Sequence, residues 1–369
     1  MAEQEGRTSR PNTLDEKRRM RNDRKRRRRS RTKALEAQLQ HERALRSDSD
    51  KKVTLYRNMS RSYWERWQWE LQRRKDILAR ERAISRGFQG RDAHRAPIIH
   101  EIDPELLRNP TDCDENQTYI GRGSFGVVRV QIYRGIKVAV KELLPRSLAS
   151  DVRHEAGILA MFCHPYLPLL FGIHTATQPY KIVMQYHSLH QEGKSTTLYD
   201  VLSTSEICGE YTIVMLCIQL MEAVRYMHDD VKVLHNDLKC NNLLVCDSVA
   251  EPPAPSSSER CVQILIIDFG KATAVDSGKH YRLNDLEKAE YTRRYTHIPP
   301  EVIEGLSRQT KMSDIYAVGG ILQHVVGSRK LTTYEIKKAV DDLATKCRSP
   351  KYFTRPSAAK ALNYLQLIL

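Results

Sequence analysis

Asp237, Lys239 and Asn242 stand within one short stretch, VLHNDLKCNNLLV (233–245), and a second carboxylate, Asp268, closes the apolar run in ILIIDFGKA. Phosphoryl transfer requires a carboxylate beside the attacking hydroxyl, a cation on the moving phosphate and oxygen ligands for Mg2+. Asp237, Lys239, and the pair Asn242 with Asp268 supply these in that order. Mg2+ takes few protein oxygens and completes its shell with phosphate and water, so one carboxylate with one amide suits it. A second constellation lies upstream in IGRGSFGVVRV (120–130), with Gly121, Gly123 and Gly126, and with Ser124 and Phe125 between the last two. Glycines let backbone amides come close to phosphate oxygens that a side chain would hold away. Lys141 then offers a fixed positive charge for the α- and β-phosphates, and such a lysine needs an acidic partner. Glu155, in RHEAGILAMF (153–162), is the candidate.

These residues need particular elements beneath them. A GxGxxG pattern serves two architectures, a strand-to-helix turn for dinucleotides or the turn of a β-hairpin. VVRVQIY follows at once, β-branched and alternating, and KVAVKEL comes next, so the hairpin is expected. Glu155 falls in an apolar-periodic stretch that reads as a helix. Asp237 sits on a loop between an apolar helix, IVMLCIQLMEAVRYMH (213–228), and a short apolar strand. Asp268 ends a strand that reads as buried.

The arrangement resembles the eukaryotic protein kinases over residues 115–369. The motifs are GxGxxGxV at 121–128, VAVK at 138–141, HND in place of the usual HRD at 235–237, DFG at 268–270 and PPE in place of APE at 299–301, with Asp314 in SDIYAVGG and Arg355 in TRPSA. The resemblance implies an α+β, bilobal fold with a small β-rich N-lobe and a larger helical C-lobe. It implies ATP and Mg2+ as cofactors and protein substrates as partners. Val128, Ala139 and Leu244 would sandwich the adenine, Met184 would gate the back of its pocket, and Gln185 and His187 would lie along its edge. Leu159, Leu170, His235 and Phe269 would form the apolar stack that aligns the lobes. Asp314 would brace the catalytic loop, and Arg355 would pair with Glu301. HNDLKCNNLLV and the RHEAGIL helix are most similar to the tyrosine-kinase-like group, and Lys239 favours Ser/Thr acceptors.

Three departures stand out. Asn236 replaces the arginine that in most relatives clamps a phosphorylated activation loop, so activity independent of phosphorylation in 271–298 is expected. Arg294 holds the position, seven residues before Glu301, where Ser/Thr kinases usually carry a threonine; Thr292 and Thr296 are out of register. Arg293 and Arg294 would then sit near the substrate groove and suit acidic or phosphorylated peptides. A Pro/Ser-rich insert, Ser248–Cys261, lengthens the link between catalytic loop and DFG and reads as a solvated loop.

Charge separates the chain into parts. Residues 1–96 hold 29 Lys+Arg against 14 Asp+Glu, whereas 97–369 hold 31 of each, so the net +15 belongs entirely to the first quarter. Residues 1–50 form a basic extension, disordered at first and then rich in helix formers, and 51–96 form an aromatic- and Arg-rich helical segment holding Trp64, Trp67 and Trp69. Ser62 and Glu65 would cap that helix. Its aromatic face packs on the following domain or docks on a partner or membrane surface. The run Lys17–Arg31 reads as a solvated tail, a nuclear import signal, a nucleic-acid-binding arm or a contact for acidic proteins. A leucine zipper is disfavoured, because Leu35, Leu39 and Leu45 do not hold a heptad. The eight cysteines show no CxxC pair, which argues against zinc and for reduced thiols. No apolar run approaches the ~18 residues of a membrane span, and the N-terminus lacks a secretory signal. The expected location is nuclear or cytoplasmic, the basic cluster favouring the nucleus. The alternatives to an active kinase are a silent kinase-fold scaffold and a nucleic-acid-binding protein with a regulatory kinase domain; intact Lys141, Asp237 and Asp268 favour activity.

Overall fold

A computed structural model describes residues 99–110, 118–123, 126–189, 195–204, 208–247 and 262–368. The Lys17–Arg31 run, the tryptophan-bearing segment, the Ser248–Cys261 insert, and Ser124 and Phe125 lie outside the described residues.

The strands of the smaller lobe are β1 (Leu107–Arg108), β2 (Tyr119–Gly123), β3 (Gly126–Tyr133), β4 (Ile136–Leu143), β5 (Leu170–His174) and β6 (Lys181–Gln185), of which β3 and β4 carry the alternating β-branched pattern. They form one antiparallel sheet in the order β1-β3-β4-β6-β5, with β2 on β3. The β3–β4 turn is two residues, Arg134 and Gly135, both at positive φ (49° and 83°). That is the backbone hand that matches strand twist in a tight hairpin. Because side chains alternate, Val138 and Val140 bury on one face of β4 while Ala139 and Lys141 turn to the other. α1 (Ala149–Leu159) buries Val152, Glu155, Ala156 and Leu159 along one stripe. The apolar members of that stripe share a core with Leu143, Ile173 and Ile182.

The packed domain starts upstream of the kinase motifs. Ile102 is 1% exposed and joins Tyr133, Val138, Val140 and Val183 in a separate apolar cluster. Its amide donates to the Ile173 carbonyl (2.6 Å), and the Ile173 amide donates to the His100 carbonyl (2.9 Å). Gly172 makes room for this strap, since a Cβ there would collide with the His100 carbonyl oxygen. Glu101 accepts from the Thr175 amide, and Thr175 Oγ1 accepts from Arg153 on α1 (3.0 Å).

The larger lobe is helical, with short strands at the junction: β7 (Thr196–Thr197), α2 (Leu198–Ser203), α3 (Glu210–Arg225), β8 (Val233–Leu234), β9 (Leu243–Asp247), β10 (Val262–Ile266), β11 (Thr273–Ala274), α4 (Asp285–Arg294), α5 (Pro300–Ile303), α6 (Lys311–Gly327), α7 (Tyr334–Cys347) and α8 (Ala358–Gln366). α3 is apolar on nearly every face and is the central helix of this lobe; a π-helical turn, Tyr226–Val231, extends it. Two small pairings position the chemistry. β9 and β10 run in continuous register from Val262 opposite Asp247 to Ile266 opposite Leu243, which places Asn242 and Asp268 at one end of a ladder. β8 pairs with β11, tying the start of the catalytic loop to the segment after Asp268. Among the described residues no helix is long and apolar enough to cross a membrane.

Candidate active site

Lys141 projects from β4 into the interior and is 6% exposed. Its Nζ donates to both Glu155 oxygens (2.7 and 2.9 Å) and to Asp268 Oδ1 (3.0 Å). Burial works against the ammonium, yet Glu155 and Asp268 together hold its pKa above the usual lysine value. The sequence-predicted pair is therefore made, and the carboxylate at the end of β10 shares it. Asp268 adopts a left-handed backbone (φ 66°), which turns its carboxylate toward the cleft and Phe269 inward. A Cβ on Gly123 would stand 4.0 Å from Asp268 Oδ2, so a side chain there would enter the space between glycine loop and carboxylate. Gly126 is needed for another reason: its Cβ would collide with the Glu142 carbonyl oxygen of the neighbouring strand.

Asp237 is 2% exposed and both its oxygens are engaged. Oδ2 takes Lys239 Nζ (2.9 Å) and Asn242 Nδ2 (3.1 Å); Oδ1 takes Lys271 Nζ (2.9 Å). His297 Nε2 also lies 3.0 Å from Oδ1, an ion-pair distance, with the ring N–H angled off the line of a straight hydrogen bond. Burial penalises this carboxylate, but His297, Lys271 and Lys239 outweigh it and hold the pKa far below the carboxylate range. Asn242 turns its amide nitrogen to Asp237, also meeting the Asp237 carbonyl (2.8 Å), which leaves its carbonyl oxygen as the end for a cation. The ligands available beside the cleft are thus hard oxygens, from Asn242 and Asp268, the kind Mg2+ takes.

The catalytic loop hangs on Asp314. Its carboxylate accepts from His228 Nε2 (2.9 Å), the His235 amide (2.8 Å) and the Asn236 amide (2.9 Å). The Asp237 amide donates to His235 Nδ1 (3.2 Å), so His235 carries its proton on Nε2 and donates it to the Ile267 carbonyl (3.1 Å). Burial lowers its pKa and keeps the ring neutral.

A protein kinase domain profile matches residues 115–352. The chain belongs to the protein kinase family. It is 27% identical over 258 residues to serine/threonine-protein kinase VIK of Arabidopsis thaliana, covering 67% of this chain and 54% of that protein. It is 29% identical over 278 residues to human mitogen-activated protein kinase kinase kinase 7, covering 68% of this chain and 41% of that one. Mouse mitogen-activated protein kinase kinase kinase 10 is 28% identical over 238 residues, 62% of this chain and 23% of that protein. The chain thus spans about half or less of the length of the curated relatives it matches.

Within this kinase domain, Phe269 is 1% exposed and lies edge-on to Phe162 (4.7 Å) and tilted to His235 (4.7 Å). Leu159 and Leu170 belong to the same core. Val128, Ala139, Met184 and Leu244 are only half-buried, whereas Val130, Val138, Val140, Val183 and Val245 beside them are buried. Ala139 and Met184 face each other across β4 and β6. Gln185 ends β6, and His187 lies past it with Nδ1 3.9 Å from Cys246 Sγ. Arg355 donates to Glu301 (2.6 and 2.9 Å) in the buried pair expected of it.

Two of the three departures in sequence fall on described residues. Asn236 takes a left-handed backbone (φ 66°) and its Nδ2 donates to the Lys271 carbonyl and Thr273 Oγ1 (3.0 Å each), so a neutral amide fastens the start of the activation segment. Arg294 lies exposed at the end of α4, where its Nη1 pairs with Glu290 one turn back (2.6 Å). Sequence reasoning overlooked Lys271 and His297. Lys271 directly follows the DFG triplet, which is a signal by position, but nothing in the spacing marks His297.

Proposed function

We propose that this chain is an ATP-dependent protein kinase that transfers the γ-phosphate to Ser or Thr hydroxyls of protein substrates. The observation that carries the reading is Lys141 Nζ bonded at once to Glu155 and to Asp268 (2.7 and 3.0 Å), which joins the glycine-loop sheet, α1 and the DFG segment through one cation. In this reading Lys141 neutralises the α- and β-phosphates, with Gly121, Gly123, Ser124, Phe125 and Gly126 over them. Val128, Ala139 and Leu244 hold the adenine, bordered by Met184, Gln185 and His187. Lys239 leaves Asp237 for the moving phosphate. Asp237 then accepts a hydrogen bond from the acceptor hydroxyl, orients it and takes its proton late in the transfer. Asn242 and Asp268 are the residues that would hold Mg2+, which supplies charge neutralisation between phosphate oxygens. The test is incubation with radiolabelled ATP and a generic protein substrate. Wild type should incorporate label and Asp268→Ala should lose at least about 100-fold. Equal incorporation by both, or none by wild type, would leave a scaffold as the reading.

For the extension we propose a targeting role. The Lys17–Arg31 run suits a nuclear import receptor or a nucleic-acid backbone, and on this reading the kinase works in the nucleus. Full-length protein should bind duplex DNA or RNA with affinity that falls steeply with salt if phosphates are the partner. If an import receptor is the partner, loss of residues 1–50 should instead move the protein to the cytoplasm without changing such binding.

A further inference from the structure

Two groups of side chains meet on Asp237 and come from different parts of the chain. Lys239 and Asn242, on Oδ2, belong to the catalytic loop; Lys271 and His297, on Oδ1, belong to the activation segment. The two lysines are long and loosely held, with side chains 40% and 36% exposed. His297 is different. Its side chain is 13% exposed, and an imidazole has few rotamers to lose. The backbone on either side is fixed. The Ile298 amide closes a turn onto the Tyr295 carbonyl (2.8 Å), and Tyr295 packs on Tyr291 (4.8 Å). Ile298, Val302 and Ile303 form a buried cluster with Tyr281, Tyr291 and Tyr295, and the Glu301–Arg355 pair anchors the next turn. His297 is therefore the rigid member of the pair on Oδ1, presented by a packed frame.

We infer that His297 is a positioning residue for the phosphoryl acceptor, acting through Asp237. The terminal torsion of an aspartate is soft, so rotation of the carboxylate needs an outside constraint. A group fixed at 3.0 Å from Oδ1 supplies one and leaves Oδ2, which keeps Asn242 Nδ2 at 3.1 Å, as the oxygen with room for the acceptor once Lys239 moves to the phosphate. The same contact sets the distance between the catalytic base and the segment leading into α5. The inference rests on the kinase reading above.

The experiment uses the full chain with an acceptor peptide. His297→Ala should lower kcat about 10- to 100-fold, the scale of a misplaced reacting group, with KM for ATP unchanged. Glutamine places an amide N–H near the position of the imidazole Nε2, whereas asparagine is one carbon too short. His297→Gln should therefore recover much of kcat and His297→Asn should not, at matched thermal stability. A kcat for His297→Ala equal to or above wild type would overturn the inference, the latter by showing that His297 blocks the base. Equal kcat for the Gln and Asn variants would overturn it too, because a purely structural filler has no need of that reach. If His297→Ala fails to fold, the Gln and Asn comparison decides alone. A silent wild type with intact ATP binding would overturn the kinase reading and this role with it.

Discussion

Arg355→Ala should destabilise the domain by about 3–5 kcal/mol, the cost of removing one partner from a buried ion pair. The magnitude follows from the surroundings. The Arg355 side chain is 0% exposed and that of Glu301 9%, so neither charge has water to fall back on. Two hydrogen bonds, at 2.6 and 2.9 Å, form a fork on one carboxylate. The same guanidinium donates to the Met312 and Ser349 carbonyls (3.0 and 2.9 Å) and lies over the Tyr316 ring at 4.8 Å. Truncation therefore strands Glu301 and two carbonyls together. Urea denaturation at pH 7 reads the loss directly, and thermal melting should drop by roughly 6–20 °C at 2–4 °C per kcal/mol. Glu301→Leu with Arg355→Met removes both charges at similar volume and should recover most of the loss, as apolar replacement of a buried pair often does. A loss below about 1 kcal/mol for the single variant would refute the reasoning, since that is the worth of an exposed pair. A double variant no more stable than Arg355→Ala would refute it as well.

Asn236→Gly should be more stable than Asn236→Ala by about 1 kcal/mol in urea, because both lose the amide but only alanine resists the left-handed backbone. Phosphatase-treated wild type should keep its turnover, since a neutral amide and not a phosphate fastens the activation segment; a large drop would count against that role for Asn236. Asp314 is held below the usual carboxylate range, burial being outweighed by His228 and the His235 amide. A depressed carboxyl contributes stability above its unfolded pKa of about 3.9 and loses it as pH falls through the folded value. Asp314→Asn should accordingly be less stable than wild type at pH 7, with the gap narrowing below about pH 4. With Cys113 and Cys261 replaced by serine, a thiol reagent at pH 8 should label Cys163 first. Burial pushes Cys217, Cys246 and Cys347 up to about 12, so they should react only on unfolding.

The fold was legible wherever the sequence obeys a local rule. The β2–β3 hairpin follows from the glycine-rich turn and the alternating strand after it, and the motif order placed Lys141, Asp237, Asn242 and Asp268 on the elements expected of them. Glu155 was legible because it shares a helical stripe with Val152, Ala156 and Leu159. Contacts set by tertiary geometry were not legible. The strap at 99–108 contains a proline and no strand pattern, and it lies on the sheet through tertiary contacts: the Ile102–Ile173 pairing, the burial of Ile102 and the close approach that Gly172 allows. His297 is a lone histidine in an irregular stretch, and its meeting with Asp237 depends on how α4 and α5 pack. Gly126 was singled out for a phosphate, and the structure gives it a separate reason: the Glu142 carbonyl of the neighbouring strand excludes a side chain there.

The β9–β10 ladder has a consequence for engineering. The two candidate metal ligands sit at one end of it, and the Ile267 amide donates to the Asn242 carbonyl across that end (2.9 Å). The link between Asp247 and Val262 leaves from the other end. Lengthening a loop costs only about 0.6 kcal/mol per doubling once its ends are held together by their own pairing. The hairpin therefore insulates the reaction centre from whatever is written between its strands. A fluorescent protein or an epitope spliced there would report on this kinase from within the catalytic lobe, with both chain termini left untouched.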